Sequence, residues 1–177
     1  MRWVDCSRSF KEMHFLYGFN FKDKKFRFMP DWASLGPNHQ KMPKFPDHMD
    51  VIEKTDKVHP FRLVAAPARR FLNTSFTAMP SSLKKEGRPT ALINPTICKK
   101  MGLQDGDLVR LGNKRGNVVV HVKSVRGSQL DVIVVEGIWP NKAFIENIGI
   151  NSLIGSEPGL PAGGAAFHDT AIWMRPV

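Results

Sequence analysis

The sequence is short of cysteine and of acid, and it contains no long apolar run. Its two cysteines, Cys6 and Cys98, lie far apart with no Cys-x-x-Cys or Cys/His ligand spacing. That excludes a signalled disulfide framework or zinc site and leaves two unpaired thiols. No apolar stretch approaches the roughly 18 residues that a membrane-crossing helix needs. The opening MRWVDCSRSFKEMHFLYGF scatters charge where a secretory signal carries a continuous apolar segment. A cytoplasmic chain is therefore the default expectation, unless it is exported as part of a longer polypeptide. A nucleophile with an acid or base partner at useful spacing is also missing, so no catalytic and no metal-ligating residue is assigned. His121 alternates with valines and reads as a strand side chain.

The shortage of acid is local. Residues 62–126 hold thirteen Lys and Arg against Glu86, Asp105 and Asp107, and this segment alone carries the chain's net charge of +10. A concentrated positive field favours phosphate-bearing partners, whether nucleic acid, a dinucleotide or an acidic protein face. A length of 177 residues allows one real core with an appended segment. We therefore divide the chain into an N-terminal arm, residues 1–59, and a folded body, residues 60–177.

The arm is rich in aromatic residues and proline, including Trp3, Phe10, Phe15, Tyr17, Trp32, Pro30, Pro37 and Pro46. Phe21 to Phe28 has the pattern of a short strand, and the prolines beyond it bias the backbone towards extended conformations. In the body, FRLVAA at Phe61 to Ala66 reads as a buried strand stopped by Pro67. PARRFLNTSF then gathers Arg69, Arg70, Asn73, Thr74 and Ser75 in one short stretch. These side chains suit a phosphate or a polar heterocycle, and Asn73 to Ser75 equally suit the cap of a helix beginning near Phe76.

Ser81 to Arg88 reads as a basic exposed connection, and Thr90 to Ile93 as a short strand. Asn94-Pro95 starts a helix to Met101 that ends at Gly102. Strands follow at Leu108 to Leu111, Val118 to Val125 and Leu130 to Val135, with the turn GNKRG between the first two and a closing strand at Ala171 to Met174. Short strands with frequent turns predict a small closed or nearly closed β-barrel, because closure removes exposed edges.

Between the last two strands lies a segment of more than thirty residues, 136–170, too long for a passive connection. Ile138, Trp139, Phe144, Ile150, Leu153, Ile154 and Phe167 give it apolar surface of its own to bury. Asn141 and Asn151 can each donate and accept hydrogen bonds. It reads as a ligand-holding loop.

In this order, INPTICKKMGLQDGDLVRLGNKRGNVVV resembles the molybdopterin-dinucleotide-binding domain that ends the catalytic chains of the formate dehydrogenase, nitrate reductase and dimethyl sulfoxide reductase superfamily. PARRFLNTSF is similar to that family's first cofactor loop, and GINSL followed by GGAAFHDT to its last. The resemblance spans about Pro60 to Val177. It implies a mainly β fold, a six-stranded double-psi β-barrel with short helices, binding molybdopterin guanine dinucleotide in the bis form around molybdenum or tungsten.

By the same resemblance, Asn73, Thr74 and Ser75, with the backbone at Ala66 and Pro67 and with Arg70, hold pyrophosphate and pterin. Asn151 and the Phe167-His168 pair close over the pterin side, and Trp139 is a packing wall. The metal's protein ligand comes from another domain, and Cys6 and Cys98 lack the spacing of an iron–sulfur cluster. The partner implied is the remainder of a catalytic subunit, in cis or in trans, without which no turnover is expected. Neither nucleic acid nor membrane is an expected partner. The competing reading is a basic β-barrel that binds nucleic acid, against which the body's aromatics are not grouped on a strand face as stacking platforms.

Overall fold

A computed structural model of the chain describes residues 4–36, 40, 42–45, 52–156, 158–159 and 164–177. Trp3, Pro37 and Pro46 of the arm and Gly163 of the last loop lie outside the described residues. Contacts along the chain divide it into two compact units, Met1–Met49 and Asp50–Val177.

In the first unit, α1 (Phe10–Met13) is a single turn fastened by a capping box between Ser9 and Glu12. The strand expected at residues 21–28 does not form. Gly18 and Lys24 adopt positive φ and the Phe19 N–H donates to the Lys24 carbonyl at 2.9 Å, so this stretch is a tight turn. Its phenylalanine rings meet at steep angles instead of lying on a strand: the Phe19 and Phe26 centroids are 5.1 Å apart, and Phe26 meets Phe28 edge-on at 4.8 Å. Phe10, Phe15, Tyr17, Phe26 and Phe28 remain exposed.

The second unit is built on β1 (Phe61–Ala66), β2 (Thr90–Ile93), β3 (Leu108–Gly112), β4 (Asn117–Ser124), β5 (Val132–Glu136) and, after a two-residue pair β6 (Pro158–Gly159) and β7 (Gly164–Ala165), β8 (Thr170–Pro176). Six of these strands close a barrel in the order β1-β5-β2-β4-β3-β8. Two pairs are parallel, β1 with β5 and β2 with β4, and the rest are antiparallel. This is the six-stranded double-psi barrel that the resemblance implied.

The interior follows from a period of two. Leu63, Ala91, Ile93, Val109, Leu111, Val118, Val120, Val122, Ile133, Val135, Ile172 and Met174 are buried at alternate positions of the six strands. β5 is less enclosed than its apolar sequence predicts. Ile133 and Val135 face the core, whereas Val132 and Val134 are half-buried, so one face of this strand is only partly covered.

The helix α3 (Pro95–Met101) forms where the sequence places it. Asn94 Oδ1 accepts from the Thr96 N–H at 2.8 Å, and Gly102 closes the helix in the left-handed region. The basic stretch after residue 80 is not an open connection but a second helix, α2 (Pro80–Glu86), with Pro80 at its start. Leu83 on this helix packs against the barrel core. Nor do Asn73 to Ser75 cap a helix at Phe76. Asn73 and Phe76 both have positive φ, and the residue before α2 is Met79, which offers no side-chain cap.

β1 and β5 run side by side to a common end, where the Gly137 N–H donates to the Ala66 carbonyl at 2.8 Å. Gly137 has a φ of +87°, and a Cβ there would lie 3.0 Å from Trp139 Nε1, 3.1 Å from Ala68 Cβ and 3.2 Å from Phe71 Cδ2. Only glycine fits this turn without strain.

Two stability outcomes are expected. Ile133→Ala, at a fully buried position, should cost about 2–5 kcal/mol in urea unfolding, while Leu130→Ala should cost much less, because the strand begins after Leu130, which is 54% exposed. Equal losses would contradict this assignment of the strand. Gly137→Ala should destabilise by more than about 1 kcal/mol and change the near-ultraviolet circular dichroism of the Phe71–Trp139 ring pair. An unchanged melting temperature would show that the turn relaxes freely.

Candidate functional site

Because β1 and β5 are parallel neighbours, the segments that follow them leave the barrel at the same end. A cleft of about 810 Å³ opens there, within the usual range of roughly 300–1,000 Å³ for small-molecule sites. One wall is the end of β1 and its continuation, Ala65 to Ala68 with Asn73. The second comes from the long segment after β5, through Ile138, Ile150, Asn151, Ile154, Gly155 and Ser156. The lead-in to β8 adds Phe167 and His168.

Each wall is held by local chemistry. On the β1 side, residues 72–75 form a tight reversal in which the Leu72 N–H donates to the Ser75 carbonyl at 3.1 Å and the Ser75 N–H donates back at 2.8 Å. Asn73 sits at its bend with φ +52°, a conformation asparagine tolerates better than most residues.

On the opposite side, Asn151 lies in a 3-10 turn, Ile150–Leu153, whose Ile150 and Leu153 are buried in the core while Asn151 is exposed. Its apolar anchors aim the amide outwards. The third wall is fixed from below, where Arg62 Nη1 donates to the Asp169 carbonyl at 2.8 Å and lies 3.5 Å from Asp169 Oδ1. Phe167 and His168 place their ring centroids 4.3 Å apart and are both exposed.

The cleft brings together Ala66, Pro67, Asn73, Asn151, Phe167 and His168 of the residues singled out in the sequence. The others lie elsewhere. Thr74 and Ser75 are exposed on the same reversal as Asn73 but do not line the cleft. Arg70 is exposed too, and its backbone N–H donates to Glu86 Oε1 at 2.6 Å, which ties this segment to α2.

Trp139 is 5% exposed and does not line the cleft. Its indole N–H donates to the Glu136 carbonyl at 2.9 Å, and its ring meets Phe71 edge-on at 4.7 Å. It is a buttress beneath the loop. Sequence reading missed Ala65, Ala68, Gly155 and Ser156 as lining, since small residues that set the width of a cleft carry no chemical signature of their own. Ile138, Ile150 and Ile154 were legible only as apolar surface needing cover.

No Asp, Glu, Lys or Arg lines the cleft. About half of the central basic residues are engaged elsewhere. Arg62, Arg110 and Arg115 are paired with Asp169, Glu146 and Glu53, and Lys84, Lys85, Lys99 and Lys100 lie in the last turns of α2 and α3, where the helix dipole favours cations. Burial and the nearby Arg88 hold His121 below the ordinary histidine range, and burial pushes the Cys98 thiol up. Neither is therefore an activated group. Among the described residues no cluster of His, Cys, Asp and Glu could hold a metal ion, and no helix is long and apolar enough to cross a membrane.

The arrangement can bind and orient a flat polar ligand, with two amides and an aromatic pair around an apolar floor. Comparison with known proteins agrees. Residues 61–171 match the family described as the molydopterin dinucleotide binding domain. The chain is 29% identical over 137 residues to the probable oxidoreductase YoaE of Bacillus subtilis, covering 76% of this chain and 19% of that protein. It is 26% identical over 153 residues to the dimethyl sulfoxide reductase DmsA of Escherichia coli, covering 84% of this chain and 18% of that one. The chain thus spans about a fifth of the length of these curated relatives.

Its fold is similar to part of the acetylene hydratase from Pelobacter acetylenicus, with a TM-score of 0.67 at 12% identity over 90% of this chain and 24% of that one. The family match runs from the first barrel strand into the last and includes the segments that form every wall of the cleft. The chain belongs to the molybdopterin-dinucleotide-binding domain family.

Proposed function

We propose that this chain is the cofactor-binding module of a molybdenum or tungsten oxidoreductase and that it holds molybdopterin guanine dinucleotide in the cleft beyond β1 and β5. The observation that carries the reading is the convergence of Asn73 and Asn151, from segments far apart in sequence, with the Phe167–His168 pair around one uncharged cleft inside the family match.

The donor set fits the group. Each amide offers a donor and an acceptor to the heteroatoms of a fused ring, and the aromatic pair offers a flat surface. No lining carboxylate repels a polyanion. Thr74, Ser75 and Arg70, exposed beside Asn73, are suited to phosphates that emerge from the cleft. Asn73 and Asn151 fix the ring, the isoleucines exclude water beneath it, and the tight reversal at residues 72–75 keeps Asn73 in place. The cofactor itself supplies the redox chemistry.

The metal's protein ligand belongs to other domains, in cis or in trans, and the much greater length of the curated relatives, of which the match covers 18–19%, supports such a partner. In this reading residues 60–177 are the barrel and residues 1–59 are an arm, fastened to the barrel at Glu53 and otherwise lying along those domains. The exposed phenylalanines of the first unit support a packing role for the arm. We place the protein in the cytoplasm. The nucleic-acid reading is not favoured, because the family match covers the barrel, no Lys or Arg lines the cleft, and three arginines of the basic segment are held in ion pairs.

Asn151→Ala should weaken retention of molybdopterin guanine dinucleotide by about tenfold or more, since it strips a buried ligand atom of its partner. Lys114→Ala, on the turn between β3 and β4, should change retention little. Equilibrium dialysis of the full chain near physiological salt measures both. Equal retention by the two variants counts against the site. Tight binding of single-stranded nucleic acid with a steep salt dependence, together with indifference to the dinucleotide, would reverse the functional reading.

A further inference from the structure

Two lips of the cleft, the Asn151 turn and the Phe167–His168 segment, belong to parts of the chain that are not hydrogen-bonded to each other directly in any described contact. A third pair of residues joins them. Arg115, on the turn between β3 and β4, donates through Nη1 to the Leu153 carbonyl at 3.3 Å, at the end of the turn that carries Asn151. Its Nη2 pairs with Glu53 Oε1. The other oxygen of the same carboxylate, Glu53 Oε2, accepts from the Ala171 N–H at 2.9 Å, three residues beyond His168.

Asn113 completes the anchor. Its Nδ2 donates to the Leu153 carbonyl at 2.8 Å, while its Oδ1 accepts from the Arg115 N–H at 2.8 Å. Neither Glu53 nor Arg115 lines the cleft, and their side chains are 32% and 19% exposed.

We propose that Glu53 and Arg115 are positioning residues, a clasp that sets the gap between the two lips and thereby governs how tightly the cleft holds its ligand. This rests on the proposed function for the identity of the ligand, but not for the clasp itself. A bidentate carboxylate and a forked guanidinium are the groups that can bridge two backbone sites with fixed geometry. Arg115 engages the turn that carries Asn151 and Glu53 engages the start of β8, directly after the Phe167–His168 segment, so the pair transmits position rather than merely adding an exposed ion pair. Burial alone would raise the Glu53 carboxyl, but the hydrogen bonds from Arg115 and Ala171 and the charges of Arg115 and Lys114 bring it below its ordinary value, so the clasp is ionised at neutral pH.

Amide hydrogen exchange on the full chain tests the coupling without any ligand. The reporters are the Ser152 and Ile154 amides of one lip, bonded to the Gly149 and Asn151 carbonyls, and the Ala171 amide at the start of β8, where the other lip is rooted. Arg115→Ala and Glu53→Gln should each accelerate exchange at both lips by about tenfold, and the double variant should be no faster than either alone. Arg115→Lys keeps the charge but loses the fork. It should leave Ala171 protected and free the Asn151 lip, a split that general destabilisation does not produce.

In parallel, the dissociation rate of molybdopterin guanine dinucleotide should rise about tenfold in the alanine variant. For Arg115→Ala and Glu53→Gln, loosening confined to the side nearest the substitution overturns the clasp, as does loosening of both sides with an unchanged dissociation rate. Should the unaltered chain fail to retain the dinucleotide, the functional reading falls. The clasp then stands or falls on the exchange coupling alone.

Discussion

The parallel pairing of β1 with β5 is the constraint on which the rest depends. Antiparallel neighbours joined by a hairpin would send consecutive loops to opposite ends of the barrel. Parallel neighbours send theirs to one end, and here the Ala66 carbonyl and the Gly137 N–H bond the two exits together. Closure of the sheet does the rest. With no free edge in the barrel, backbone donors and acceptors are available only at its ends, and the segments with most freedom collect where β1 and β5 stop. The position of the cleft is therefore a consequence of topology, and its chemistry is a consequence of which side chains those segments bring.

That chemistry is quieter than the composition suggests. A chain with an excess of ten positive charges concentrated in one segment invites the expectation of a basic binding surface. Instead the arginines that can be followed are spent on fastening. Arg62 fixes the approach to β8, Arg110 makes a two-pronged pair with Glu146 at 2.6 and 2.7 Å, and Arg115 joins two segments through Leu153 and Glu53. A guanidinium suits this work because its fork fixes direction as well as distance. The cleft is left without Asp, Glu, Lys or Arg, so in the proposed reading its ligand is chosen by shape and by amide hydrogen bonds.

The sequence disclosed the elements whose signals are local. Alternating valines in β4, the Asn94-Pro95 start and Gly102 stop of α3, and the Gly-rich turn after β3 each depend on neighbours a few residues away. Where a local pattern misled, a different packing had won. Phe26 and Phe28 alternate as in a strand but pair with no sheet, and their rings instead meet each other edge-on, with Phe19 against Phe26. Residues 80–86 look like a solvated basic linker because charge dominates them, yet Leu83 finds the core and the segment coils to bury it. Trp139 was legible as a large apolar residue near the site, but not its direction, which is set by a hydrogen bond to Glu136 and by Phe71 from another loop.

Glu53 lay furthest from legibility, and the reason is physical. Its partners are 62 and 118 residues away in sequence, at Arg115 and Ala171. It sits in a proline-flanked stretch with no periodicity of its own, and nothing there distinguishes a structural carboxylate from a solvated one. Only the closed barrel, by bringing the β3–β4 turn and the start of β8 to one side, gives that carboxylate two backbone-linked targets at once. Asn73 and Asn151 could be picked out because PARRFLNTSF and GINSL resemble the family's cofactor loops. The residues that hold such amides at a fixed separation are selected by three-dimensional proximity alone. A binding site is thus legible in sequence at its contacts and hidden at its supports. In this chain the supports are ion pairs that span the fold, which is why a substitution far from the cleft in sequence can alter its width without touching its lining.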